Sequence, residues 1–396
     1  MKLLSLIFSI SLLSACTQTD EKKMNQHVKR IDLTEAKLLM DDFRLSEIAQ
    51  SIRYVKLESS EKCRIRSINN VKTTLDFIFI QDQQESLFQF DADGGFVRKI
   101  GSKGKGPGEF LHLTDFTIDE ASKKVLIYDN FGRSVKEYSY DGKFEKETAI
   151  DFYPISFEMS ASRNLFFNNV SPFPKKIIPY GVTVCNQQLQ KVNKLLNKEW
   201  ERAFADEMVP SSLCNLQRFG ERMTFWEYNH DTIWHLSDKS AVAEYFLDFS
   251  KYRIPFELRS SKKDINYAQY GFIENIIETQ RYVFIDACLK RQKKRYLLCK
   301  ENNEVIDVFR DRSKVFFMNI ELENDVDGAL SFWPDRRGFV NDSILCKSFF
   351  PFELKRNMER NNSLLSEVDC IDNEVASLLK KTSVTDNPVL MFVKLK

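Results

Sequence analysis

A chain of 396 residues, 43% hydrophobic and 29% charged, is globular rather than disordered, and it has length for one large closed domain or two ordinary ones. Lys and Arg number 58 against 57 Asp and Glu, a balance that argues against nucleic acid as the main partner, since phosphate binding wants a basic surface. The 33 Phe and 13 Tyr favour strands and fill flat interfaces between sheets, so the core is expected to be β-rich.

In chain order, residues 1–15 read as an export signal. Lys2 supplies a positive charge, and Leu3 to Leu13 is apolar apart from serines. That run has the length of a signal-peptide core and is too short to span a bilayer. It ends in Leu13-Ser14-Ala15-Cys16, which resembles the bacterial lipobox, so Cys16 is the expected lipidation site. No other segment reaches the 18 consecutive apolar residues of a membrane helix, so the lipid is the expected link to the membrane. Residues 16–29 are polar and charged and read as a tether. The folded domain is then 30–396.

Asp32 to Ala49 shows helical spacing in places (Leu38, Leu39, Phe43, Leu45), predicting a short flanking helix. Ile52 to Leu57 alternates apolar and polar residues as a half-buried strand does, and Val389 to Leu395 reads as another strand. Strands at both extremes suit a closed ring whose first and last pieces share one sheet. Six strand clusters lie between them, near 63–101, 111–150, 154–196, 213–250, 272–311 and 325–355. The first two carry one design twice. Leu87, Phe90, Asp93, Gly94 and Phe96 match Val135, Tyr138, Asp141, Gly142 and Phe144, each 48 residues on, and Asp82 matches Asp129. A β unit recurring at that spacing points to a radial array of small sheets. Later copies lose the turn glycines, but Asn302-Asn303 keeps the rhythm, because Asn tolerates the left-handed backbone a hairpin needs. Glu359 to Lys381 reads as partly helical.

Ile100 to Asp119 (IGSKGKGPGEFLHLTDFTID), followed by VLIYD and YDGKF, resembles NHL-type propeller repeats. More closely, the chain resembles the six-bladed β-propeller lipoproteins of Bacteroidetes. DTIWHL, LDFSKYRIP (Leu247 to Pro255) and the C-terminal DNPVLMFVKLK fit that family too. The resemblance implies an all-β, six-bladed propeller with an N-terminal lipoprotein signal, held at the outer membrane. It carries no family reaction, cofactor or catalytic residue with it.

Motifs that suggest chemistry have plainer explanations. Gly101 to Gly108 invites a phosphate-loop reading, but strands are expected on both sides and no Lys-Ser/Thr follows, so it reads as a blade-to-blade connection. Asp91-Ala92-Asp93-Gly94-Gly95 begins like a calcium loop, yet position five is Gly95 and position twelve is Ser102, so it reads as a turn. The four His form no zinc motif, and no metal or cofactor is expected. The scattered cysteines form no CxxC; Cys288 with Cys299, flanking an expected hairpin, is the pair to test for a disulfide.

Two groups remain as binding candidates: Trp333, Arg336 and Arg337 in a loop, and Arg218 with Trp226 and Tyr228. Aromatic and guanidinium groups suit a sugar or an acidic ligand, through stacking and paired hydrogen bonds. The expected function is therefore a non-catalytic binding or scaffold lipoprotein of the envelope, with a glycan or envelope protein as partner at the propeller funnel. The alternative is a hydrolase or lyase acting on a saccharide or lactone. It would use a metal held by carboxylates and amides at the starts of inner strands: Asn69, Asp115 and Asn275.

Overall fold

A computed structural model of the chain describes residues 28–38, 43–169, 180–197, 215–227, 230–255, 258, 266, 268–308, 321–354, 377–378 and 380–396. The expected signal, Cys16 and most of the tether lie outside the described residues, as does most of the expected helix over 359–381.

Among the described residues the blade strands gather into six sheets set radially, each with four antiparallel strands at its centre, a six-bladed β-propeller. Blade 1 runs Ile68–Thr73, Phe77–Asp82, Leu87–Asp91, Phe96–Lys99, from the channel outward. Blades 2 to 5 follow in sequence with inner strands Leu113–Asp119, Ser156–Met159, Asn215–Phe219 and Gly271–Glu278. Blade 6 mixes the two ends of the chain. Its order is Phe339–Asn341, Ile344–Phe349, Val389–Leu395, Ala49–Lys56, so the C-terminal strand is clasped between neighbours on both sides. The ring closes as the terminal strands predict.

The internal repeat has a physical cause. Leu87 and Phe90 in blade 1, like Val135 and Tyr138 in blade 2, are at most 1% exposed and fill the spaces between sheets. Asp82 and Asp129 end equivalent strands and accept backbone N–H groups. Asp82 Oδ1 takes those of Gln84 and Ser86, both at 3.0 Å; Asp129 takes those of Leu111, His112 and Gly132 at 2.8–3.1 Å. Gly94 and Gly142 sit at φ +93° and +76°, which marks both Asp-Gly pairs as tight turns. Asp91 binds the N–H groups of Asp93 and Gly95, so the calcium-like stretch is a hairpin. The Gly101–Gly108 stretch connects blades 1 and 2 between strands, as expected. Asn303 adopts φ +58° while Asn302 Oδ1 accepts the Glu304 N–H at 3.0 Å, so asparagine replaces glycine in that turn.

Two expectations are corrected. Asp32 to Ala49 contains no α-helix among its described residues. Lys29–Asp32, partly assigned to the tether, and Lys37–Leu38 instead add fifth strands, in parallel, to the outer edges of blades 4 and 5. Single turns of 3-10 helix at Leu33–Glu35 and Leu45–Glu47 carry the buried Leu33 and Leu45. The open sheet edges offered unpaired backbone groups, and pairing with them outweighed weak helical periodicity. Cys288 and Cys299 are both free thiols. Cys288 faces Lys293 and Cys299 faces Tyr282 on one hairpin. Six strand steps separate them, about 20 Å, against the roughly 7 Å a bridge allows.

Candidate functional site

The six inner strands begin at one end of the channel, called the upper mouth here, and run to the lower mouth. Three of them start with a β-bulge, between Ile68 and Asn70, Leu113 and Asp115, and Ile273 and Asn275. A bulge inserts one residue and re-aims its neighbours. The inserted residues are Asn69, Thr114 and Glu274. The equivalent buried positions just after them are Asn70, Asp115 and Asn275, so the sequence choice of Asn69 falls one residue short of the ring position.

Asp115 is the centre of the upper channel. Its Oδ1 accepts from Asn70 Nδ2 at 3.1 Å and from Arg337 Nη1 at 3.2 Å, and its Oδ2 accepts the Phe157 N–H at 3.1 Å. Both oxygens of this carboxylate are engaged by protein donors. Two residues further along the inner strands, Lys72 of blade 1 pairs with Glu158 of blade 3, which also accepts from Thr117 of blade 2. These two rungs narrow the channel to a space of about 50 Å³. They divide an upper cavity of about 410 Å³ from a lower one of about 440 Å³.

The upper cavity is roofed by the loop from Trp333 to Gly338. Trp333 is 1% exposed; its indole N–H donates to Asp286 at 3.0 Å, and the Arg295 guanidinium lies 5.3 Å from its ring. Asp335 accepts the Ser348 N–H and hydroxyl at 2.7 and 2.5 Å. Burial pushes its carboxyl pKa up despite those bonds. Arg336 Nη2 donates to the Glu274 carbonyl at 3.1 Å. A Cβ on Gly338 would lie 2.1 Å from the Cys346 carbonyl oxygen and 2.8 Å from the Asp335 nitrogen, so only glycine lets the loop lie this close to blade 6. The loop is thus fastened at each residue type that could act, and it holds two guanidinium groups at the mouth.

Beside it, between blades 5 and 6, a polar cavity of about 290 Å³ holds a buried chain of charges. Arg295 bridges Asp286 at 3.0 Å and Glu321 at 3.4 Å, and Glu321 also takes Lys347. Burial lowers the Lys347 ammonium pKa, against the pull of Glu321. The lower cavity is walled by Lys72, Glu158, Arg218 and Asp342, with Asp342 Oδ2 accepting the Gly220 N–H at 2.9 Å.

The sequence candidates therefore separate. Arg336 and Arg337 line the upper cavity, and Arg218 lines the lower. Trp226 and Trp333 are both 1% exposed; Trp226 donates its indole N–H to the His230 carbonyl at 2.8 Å. Their rings pack blades and present no face for stacking a ligand. Tyr228 lies outside the described residues. Asn70, Lys72 and Glu158 were not singled out from sequence, because only ring closure brings them together. Among the described residues, no three His, Cys, Asp or Glu side chains are grouped to hold a metal ion.

The chain is similar to a protein from Bacteroides fragilis NCTC 9343 whose description presumes export. Identity is 19%, coverage is 93% of this chain and 99% of that one, and the TM-score is 0.70. A DUF4221-family protein from Bacteroides vulgatus ATCC 8482 is more distant, at 10% identity over 88% of this chain and 97% of that one, with a TM-score of 0.47. No curated protein matches. The first likeness agrees with the propeller fold. The profile of DUF4934, a domain of unknown function, matches residues 28–394, and the chain accordingly belongs to that family.

Proposed function

We propose that the protein is a lipid-anchored envelope protein that binds a ligand or partner, without catalysis, at the upper mouth of its propeller. The observation that carries this is the upper cavity of about 410 Å³, where Arg336 and Arg337 are held by a fastened loop over inner strands of several blades. Its volume lies in the roughly 300–1,000 Å³ range of small-molecule sites. The anchor reading rests on Leu13-Ser14-Ala15-Cys16 and on the resemblance to NHL-like propeller lipoproteins of Bacteroidetes, placed at the outer membrane. The presumed export of the Bacteroides fragilis relative is in keeping with it.

Two measurements test the reading. Labelled palmitate fed to cells should enter the wild-type protein and not Cys16→Ala; equal labelling of both would refute the anchor. Full-length tagged protein, crosslinked in intact cells, should recover an envelope partner or glycan that Arg336→Ala fails to recover. A recovered set unchanged by that substitution would move the site away from the upper mouth and overturn the reading.

A further inference from the structure

Resting on that placement of the site, we propose that the upper cavity takes a carboxylate-bearing saccharide, a hexuronic acid unit, with the carboxylate on the fork of Arg337. The first support is an unused set of donors. A guanidinium has five N–H groups. Arg337 gives one, on Nη1, to Asp115; its side chain is 25% exposed and lines the cavity. The other donors meet no acceptor among the described residues. Asp115 meanwhile holds the guanidinium in place, so a ligand would not have to order it. A planar fork fixed in this way matches two carboxylate oxygens.

The second support is the sign of the lining. The charged side chains around the cavity are Asp335, Arg336 and Arg337. Asp335 turns its carboxyl into Ser348, and burial shifts it toward the neutral acid. Asp115 below the cavity has both carboxylate oxygens engaged by protein donors, so the charged groups that face a ligand from the lining are mainly the two guanidinium groups. The third support is the neutral lining. Among the described residues, Asn69, exposed on its bulge, makes no side-chain hydrogen bond, and Asn70 donates to Asp115 while its Oδ1 meets no donor. These amides suit ring hydroxyls. Ile68, Val71 and Ile155 give an aliphatic wall for the C–H face of a sugar. Nucleotides fit poorly, since both candidate Trp rings are buried and no aromatic face lines the cavity for a base.

Titration calorimetry on the full chain tests this with D-galacturonate and D-glucuronate, against D-glucose and inorganic sulfate. Saturable binding of a uronate is expected, with glucose and sulfate at least about tenfold weaker, the equivalent of one good charged hydrogen bond. Arg337→Lys keeps a cation for Asp115 but loses the fork, and should weaken uronate binding by about tenfold at an unchanged melting temperature. No saturable uronate binding, or glucose or sulfate binding as tightly, would overturn the proposal. Continued Arg336-dependent capture of a partner in the crosslinking experiment would then show that the ligand class alone was wrong. Loss of both would remove the binding reading as well.

Discussion

A chain ending at Pro388 is expected not to fold cooperatively. The deleted strand, Val389–Leu395, is bonded on one side to Ile344–Phe349 and on the other to Ala49–Lys56. Val389, Leu390, Met391 and Val393 are fully buried, and Phe392 and Leu395 nearly so. Six such side chains at about 1.5–3 kcal/mol each come to roughly 9–18 kcal/mol, an upper estimate because denatured chains already bury some of this surface. That still rivals the whole stability of a typical domain, about 5–15 kcal/mol. Removal also leaves the edge strand Ala49–Lys56 without its ladder neighbour in blade 6. Thermal unfolding followed by near-ultraviolet circular dichroism should show one sharp transition for the full chain and none for the truncated one. A sharp transition in the truncated chain would mean the ring does not depend on this clasp.

Glu278→Gln is expected to cost about 3–5 kcal/mol, the usual penalty for leaving a buried charge without its partner. Glu278 has no exposed side-chain surface and joins blades 4 and 5. Its Oε2 accepts from Thr224 at 2.6 Å and pairs with His235 Nε2 at 2.8 Å, while its Oε1 takes Lys300 Nζ at 2.6 Å. Burial alone would raise its pKa. The hydrogen bond and charge of His235, with those of Lys300, outweigh burial and bring it down to about 2. A folded-state pKa depressed from the ordinary 4.5 gives stability that is complete above that value and lost as pH falls toward 2. A shift of that size corresponds to about 3 kcal/mol at neutral pH, in line with the cost of the substitution. Urea denaturation across pH 7 to 2 should therefore show the wild type losing its advantage over Glu278→Gln as the pH drops. Parallel curves for the two proteins would mean that the carboxylate is not held by this network. Replacing Glu278 and Lys300 together by Met should recover much of the loss at neutral pH, since a buried pair is often no better than well-packed apolar groups.

What could be read from the sequence was what repeats locally. The Leu87/Val135 and Phe90/Tyr138 pairs announce blades because every blade must fill the same wedge between sheets. The terminal strands announce closure because each alternates or runs apolar by itself. The Asn302-Asn303 hairpin was legible because its backbone requirement is local. The strand additions at Lys29–Asp32 and Lys37–Leu38 were not, since their partners lie more than 200 residues away and short edge strands need little periodicity. At the site, the Trp333–Gly338 loop was visible as a cluster of ring and guanidinium groups, and Asp115 and Asn275 as polar residues starting inner strands. The bulge that displaces Asn69 by one position left no mark in the residue types. Trp226 and Trp333 are both buried, which their residue type could not announce: a tryptophan in a propeller is as useful between blades as in a mouth. Glu278, His235 and Lys300 carry no motif at all, because the space between two blades, not spacing along the chain, brings them together.

The parallel attachment of Lys29–Asp32 has a mechanical side. Lys29 lies beside Tyr245 and Asp32 beside Asp248, and the pairs Lys29–Glu244 and Arg30–Asp248 flank the seam. Tension arriving at Lys29 along the strand loads all of these links in shear at once. The same tension on a hairpin end would unzip its links one at a time. The chain thus enters the ring through a lap joint, and the blades behind it are spared the peeling force that opens sheets most easily.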